Sequence, residues 1–150
     1  MGPRRLSILW FALAQLALVA TVVAGPAPTI EELKARLMTA SIGARPRLCV
    51  EIAERQLEQT DKLYTSDEFE KAQTSLQEVT AFSEMARDYA IQSHKRQKQT
   101  EIAVRAMTRR LADMLHNLPH DDQRPVKESI NRLQRVCDDL LAAMFPKGAK

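Results

Sequence analysis

The chain has 150 residues, 45% hydrophobic, 27% charged and only 5% aromatic, with 22 Lys and Arg against 19 Asp and Glu for a net charge of +3. That length suits one modest domain and argues against two full ones. Two cysteines rule out a disulfide-dense scaffold and a Cys-only zinc site, and four glycines leave little room for a phosphate-cradling loop or a turn-rich β-sandwich.

The first 24 residues read as an export signal rather than as part of a fold. Arg4 and Arg5 precede an uncharged run from Leu6 to Val23, and Val22 and Ala24 supply a small-residue cleavage site, so a cut is expected after Ala24. The alternative is an uncleaved anchor, because the run approaches the ~20 residues of a bilayer span. The expected location is the periplasm or cell envelope, an oxidising compartment. Without residues 1–24 the chain keeps 20 basic and 19 acidic groups, a charge of +1, and loses Trp10, its one tryptophan. What remains is poor in β-branched and aromatic residues and rich in Ala, Leu, Glu, Gln, Lys and Arg, which favours helix.

Residues 25–45 form a spacer and a short helix. Pro26 and Pro28 give an extended lead, and Thr29-Ile-Glu-Glu32 is a capping box that opens a helix from about Ile30 to Ser41. Its inward face is expected to carry Ile30, Leu33, Leu37 and Met38; Gly43 and Pro46 end it. The helical domain proper spans 46–145. A second helix is expected over about Arg47–Tyr64, with Cys49, Ile52, Ala53, Gln56, Leu57, Thr60, Leu63 and Tyr64 recurring at helical spacing, then a turn with Ser66 as N-cap. From Asp67 to Asn117 there is no Gly or Pro, and one heptad register runs throughout, apolar at both ends and polar in the middle. It predicts one long helix over about 67–117, or two nearly collinear ones with a weak point near Ser93–Thr100. Pro119 and Asp121-Asp122 make the next turn, a last helix covers about Gln123–Met144, and 146–150 is a flexible tail. The expectation is an all-α fold of elongated antiparallel hairpins, a three-helix bundle built on a long central helix with a short leading one.

One stretch resembles a known family. Ala53 through Leu63-Tyr64, followed by Asp67-Glu-Phe-Glu-Lys-Ala72, looks like the helical hairpin of a tetratricopeptide repeat. The likeness covers residues 53–76, and no second copy follows 34 residues on. It implies a local helix–turn–helix unit. The mature chain is also similar in style to uncharacterised exported bacterial all-helical proteins, a resemblance that supplies no activity.

Chemistry-bearing residues are sparse. His94, His116 and His120 are the only histidines. The pair at 116 and 120 has metal-ligand spacing, but Leu118-Pro119 between them should end the helix first. Asp121-Asp122 reads as helix capping, and Asp138-Asp139 point apart on a helix. No nucleophile elbow or Walker loop is present. No catalytic residue, metal site or cofactor is therefore expected. Cys49 and Cys137 fall on inward faces; export favours a bond between them, whereas folding about residues 65 and 119 would hold them ~30 Å apart along the central helix. Lys95, Arg96, Lys98, Arg105, Arg109 and Arg110 oppose Glu101 alone in residues 92–112, a net +5, while residues 25–91 carry −4. That stretch is the candidate patch for an anionic partner. Nucleic acid is a poor partner for an exported chain lacking stacking aromatics nearby.

The expected function is that of a non-enzymatic helical scaffold or interaction module of the cell envelope. Its partner would be another envelope protein, a second copy of itself or an anionic membrane surface. The alternative is a small ligand- or metal-binding bundle acting as an envelope stress accessory protein.

Overall fold

The computed structural model describes residues 25–148; the leader expected at 1–24 lies outside the described residues, as do the last two of the tail. Helix α1 spans Ile30–Thr39, α2 Arg45–Thr65, α3 Phe69–Ser93, α4 Gln97–Leu115 and α5 Gln123–Met144, with a 3-10 turn at His120–Asp122. The architecture is the expected all-α bundle of antiparallel hairpins, and no strand occurs among the described residues.

Local sequence accounts for the helix ends. The capping box closes on α1: the Thr29 hydroxyl accepts from the Glu32 amide at 3.2 Å, and the Thr29 amide donates to the Glu32 carboxylate at 3.0 Å. Pro46 sits in the first turn of α2, where its missing N–H costs nothing. Ser66 proves to be the C-cap of α2 rather than the N-cap of α3. Asp67 follows with φ 58°, the Asp67 amide donates to the Tyr64 carbonyl and the Glu68 amide to the Leu63 carbonyl. This is a Schellman closure with Asp where Gly is usual. Asp122 stands at the N-cap of α5 without making a side-chain cap bond.

The long helix expected over 67–117 is two helices that double back. Arg45, opening α2, donates to the Tyr89 hydroxyl late in α3. Tyr64, closing α2, shares a cleft with Met114, Asn117 and Leu118 at the end of α4. So α3 runs antiparallel to α2 while α4 runs parallel to it, and the chain reverses between Ser93 and Gln97. The break falls at the expected weak point, but the halves are not collinear. From Gln92 to Thr100 no large aliphatic side chain is present to hold a straight helix against a partner. Reversal instead returns Val104, Met107 and Leu111 to the core formed by Leu76 and Val79. The heptad register survives because each half turns the same face inward, burying Leu76, Val79, Ser83, Ala86 and Ala90 from α3 and Thr100, Val104, Met107 and Leu111 from α4.

Helix α5 runs alongside α3 in parallel, joined by Thr80–Ser129 at 3.3 Å, a bidentate Arg132–Glu84 pair at 3.0 and 2.8 Å, and Arg87–Asp139 at 2.9 Å. It is antiparallel to α4, where the Cys137 thiol lies 3.8 Å from the Glu101 carbonyl. Four helices thus surround one core instead of the expected three. Helix α1 lies outside them, burying Leu33 and Leu37 against Cys49, Ile52 and Ala86. Met38, expected to face inward with them, is 79% exposed. Three hydroxyls buried in the bundle are satisfied locally: Thr60, Thr80 and Ser83 donate to carbonyls four residues back at 2.8, 3.1 and 2.8 Å, whereas buried Ser75 reaches across to the Gln56 carbonyl at 3.0 Å.

Candidate interaction surface

The bundle brings the end of α1, the starts of α2 and α4, and the ends of α3 and α5 to one extremity. The α3–α4 turn is built there by two non-glycine residues in the left-handed region, His94 at φ 55° and Arg96 at φ 60°. Ser93 braces it, donating to the Tyr89 carbonyl at 2.7 Å and accepting from the Lys95 amide at 3.3 Å. The turn throws Lys95, Arg96 and Lys98 outward, all exposed. The aliphatic part of Lys95 crosses Gly43 so closely that a Cβ there would meet Lys95 Cδ at 2.8 Å. Gly43, read from sequence as a helix stop, thus also provides room for this crossing.

Three further cations reach this end from the α1–α2 corner: Arg36, Arg45 and Arg47. Arg45 is a strut, its guanidinium donating to the Ala40 carbonyl at 3.1 Å and lying over the Tyr89 ring at 5.1 Å. Lys147 follows α5. Segments 36–48, 91–100 and 142–148, which form this extremity, carry seven Lys and Arg and no Asp or Glu. Among the described residues none of the seven is in an ion pair. Of these seven, only Lys95, Arg96 and Lys98 belong to the six-residue patch expected within 92–112, because the others lie about fifty residues away along the chain and join them only by folding.

The remaining half of the expected patch is diverted. Arg105 is held by Glu101, a buried carboxylate that accepts from its Nε at 2.7 Å and from its Nη2. Arg109 lies on the α4–α5 flank in a cleft with Asp138. Arg110 faces Glu54, opposing the upward push that burial and the neighbouring Glu51 and Glu58 exert on that carboxyl. The six residues therefore split into an unpaired trio at the end and a trio among carboxylates on the flank.

Apolar side chains follow the same distribution. The exposed large hydrophobics among the described residues are Met38 at 79%, Ile42 at 41%, Ile102 at 56% and Phe145 at 71%. Met38 ends α1, Ile42 is in the α1–α2 loop, Phe145 caps α5, and Ile102 is in the second turn of α4. Met38, Ile42 and Phe145 are at the basic end, and Ile102 follows Glu101 on the flank of α4.

The opposite extremity is its electrostatic inverse. Segments 58–71 and 113–124 carry eight carboxylates against three Lys and Arg. His116 and His120 are exposed there, and among the described residues no group of three His, Cys, Asp or Glu is placed to hold a metal. A small cleft at this end is lined by Asp61, Tyr64, Thr65, Met114, Asn117 and Leu118. The Tyr64 hydroxyl is buried without a hydrogen-bond partner, and burial, aided by Asp122, raises its pKa.

Cys49 and Cys137 are both buried as free thiols. Cys49 packs in the α1 cluster and Cys137 in the main core, on α2 and α5. Asp139 pairs with Arg87 while Cys49 packs beside Ala86, so the two thiols stand at similar height on different helices. It is the bundle's cross-section that separates them, not the length of a central helix.

Among the described residues no helix is long and apolar enough to cross a membrane. No family model matches the chain, and neither a curated protein nor a solved structure matches it.

Proposed function

We propose that this chain is a non-enzymatic helical interaction module exported to the cell envelope, working through the basic end of its bundle on an anionic partner. The observation that carries this reading is the acid-free extremity: seven cations, none ion-paired among the described residues, gathered from three separate segments with exposed Met38, Ile42 and Phe145 beside them. Cations left unpaired at one end of a molecule whose remaining residues carry a net negative charge are suited to meet external negative charge. The leader-like residues 1–24 support the envelope location.

The test uses dextran sulfate as the anionic probe at 50 mM and 500 mM NaCl. Lys95→Gln/Lys98→Gln should weaken binding at low salt, while Lys62→Gln/Lys127→Gln, an equal loss of charge elsewhere, should weaken it little. Equal losses for both pairs would reduce the effect to net charge, and absence of binding would remove the reading. Cell fractionation with N-terminal sequencing tests the location; a cytosolic product starting at Met1 would contradict export.

A second reading, a small-ligand bundle, is favoured by one observation, the orphan Tyr64 hydroxyl in its cleft. The cleft is narrow and offers only Asp61, Thr65 and Asn117 as further polar groups, so the interaction module is the better-supported function.

A further inference from the structure

We propose that the basic end is a shallow insertion tip for an anionic phospholipid surface, entering it with Met38, Ile42 and Phe145 while the surrounding cations meet the headgroups. This rests on the basic end being the working surface and adds both the partner and the mode of contact.

The three apolar side chains come from the end of α1, the α1–α2 loop and the residue capping α5. They project from an end: none of the three lines the clefts that run along the flanks or lie at the acidic end. A partner helix would need a groove, whereas projecting apolar tips suit the boundary between headgroups and acyl chains, ~5–10 Å deep. Lys95, Arg96 and Lys98 stand beside them without carboxylate partners, and each such cation near an anionic leaflet contributes about 1 kcal/mol. The acidic end of a second copy could match the charge. Among the described residues it exposes no large apolar side chain, so it would leave Met38 and Phe145 in water. An anionic bilayer supplies negative charge and hydrocarbon in one surface.

The experiment is co-sedimentation of the full chain with vesicles of phosphatidylcholine containing 30% phosphatidylglycerol, against pure phosphatidylcholine. Residues 1–24, where retained, contribute equally to every variant: neutral vesicles measure their apolar part, and comparison between variants cancels the charge of Arg4 and Arg5. The expected result is anionic binding that falls steeply between 50 and 500 mM NaCl. Lys95→Gln/Lys98→Gln should weaken it about 30-fold, the loss of two such cations. Met38→Ser/Ile42→Ser/Phe145→Ser should weaken it at least about tenfold while leaving dextran sulfate binding unchanged. All five substituted residues are exposed, circular dichroism checks the fold, and the salt titration of the unsubstituted chain needs no variant. If the apolar triple binds vesicles as well as the original, insertion is wrong although the basic end still binds anions. If the chain ignores anionic vesicles but forms a dimer that Lys95→Gln/Lys98→Gln dissociates, the occupant is a second copy and the proposal falls. If neither vesicles nor dextran sulfate bind, the functional reading falls with it.

Discussion

Asp67 holds a backbone conformation that L-residues adopt at a cost of about 1–2 kcal/mol, closing α2 where Gly is usual. Glycine relieves that cost and returns part of it as unfolded-chain entropy, so Asp67→Gly should raise stability by about 1 kcal/mol in urea titration. Arg96, at φ 60°, offers a sharper separation of fold from function. Arg96→Gly should stabilise the bundle similarly while weakening anion binding. The orphan hydroxyl of Tyr64 makes the opposite bargain: it is buried without a partner, so Tyr64→Phe removes an unsatisfied buried group and should gain about 1 kcal/mol. A loss instead would favour the ligand-binding reading. The thiols make a pH prediction. Burial, opposed by Arg45, pushes Cys49 from 9.0 to about 12; burial and then Glu101 push Cys137 to about 11. A pKa raised on folding contributes stability below the unfolded value that is lost as pH rises toward the folded one. The urea midpoint should therefore fall above pH 9, and less steeply in Cys49→Ala. At pH 8 both thiols should resist iodoacetamide until the chain is unfolded.

At the scale of elements, α1 is the piece most easily detached. It is 10 residues long, too short to persist alone in water, and two buried leucines hold it to α2 and α3. Leu33 is fully buried, so Leu33→Ala should cost about 3 kcal/mol. In hydrogen exchange its effect should concentrate on α1 amides, leaving those of α4 and α5 nearly as protected as before. A uniform loss of protection would mean that α1 is integral to the bundle. The Lys34–Glu78 bridge at 2.6 Å also ties α1 to α3, but both partners are more than a third exposed, so its loss should be small beside that of Leu33. Detaching α1 would also displace Met38 and Arg36 from the basic end, so Leu33→Ala should weaken vesicle binding more than its distance from the surface suggests.

As a whole, the molecule is a short bundle charged oppositely at its two ends. Reversal at Ser93–Gln97 halves the length that one 67–117 helix would have had, from ~75 Å to a longest helix of ~37 Å. Solution scattering of residues 25–150 should give a radius of gyration of about 14 Å, the value for a compact domain of this size. A markedly larger value with a rod-like profile would restore the straight helix. The charge asymmetry gives the chain a long dipole, so an anionic surface should orient it basic end inward before any contact forms, and salt should slow association more than dissociation.

Much of this was legible in one dimension. Helix periodicity, the Thr29–Glu32 box, Pro119 and the inward faces of Leu33, Leu57, Val104 and Leu140 depend on neighbours within a turn or two, and residue types alone determine such relations. The polar stretch from Gln92 to Thr100 marked where the long helix is weak. It did not say whether the chain bends or reverses, because that depends on which apolar faces meet: Val104, Met107 and Leu111 against Leu76 and Val79. The surface was hidden for the same reason. Lys95, Arg96 and Lys98 formed a visible run, but Arg36, Arg45, Arg47 and Lys147 are far from it along the chain, and Arg105 is withdrawn from it by Glu101. Sequence determined an all-helical, charge-polarised chain with a leader-like start. Tertiary structure alone decided that its unpaired positive charge and the exposed side chains of Met38, Ile42 and Phe145 share one end, because long-range packing, not local propensity, sets which helix termini lie together.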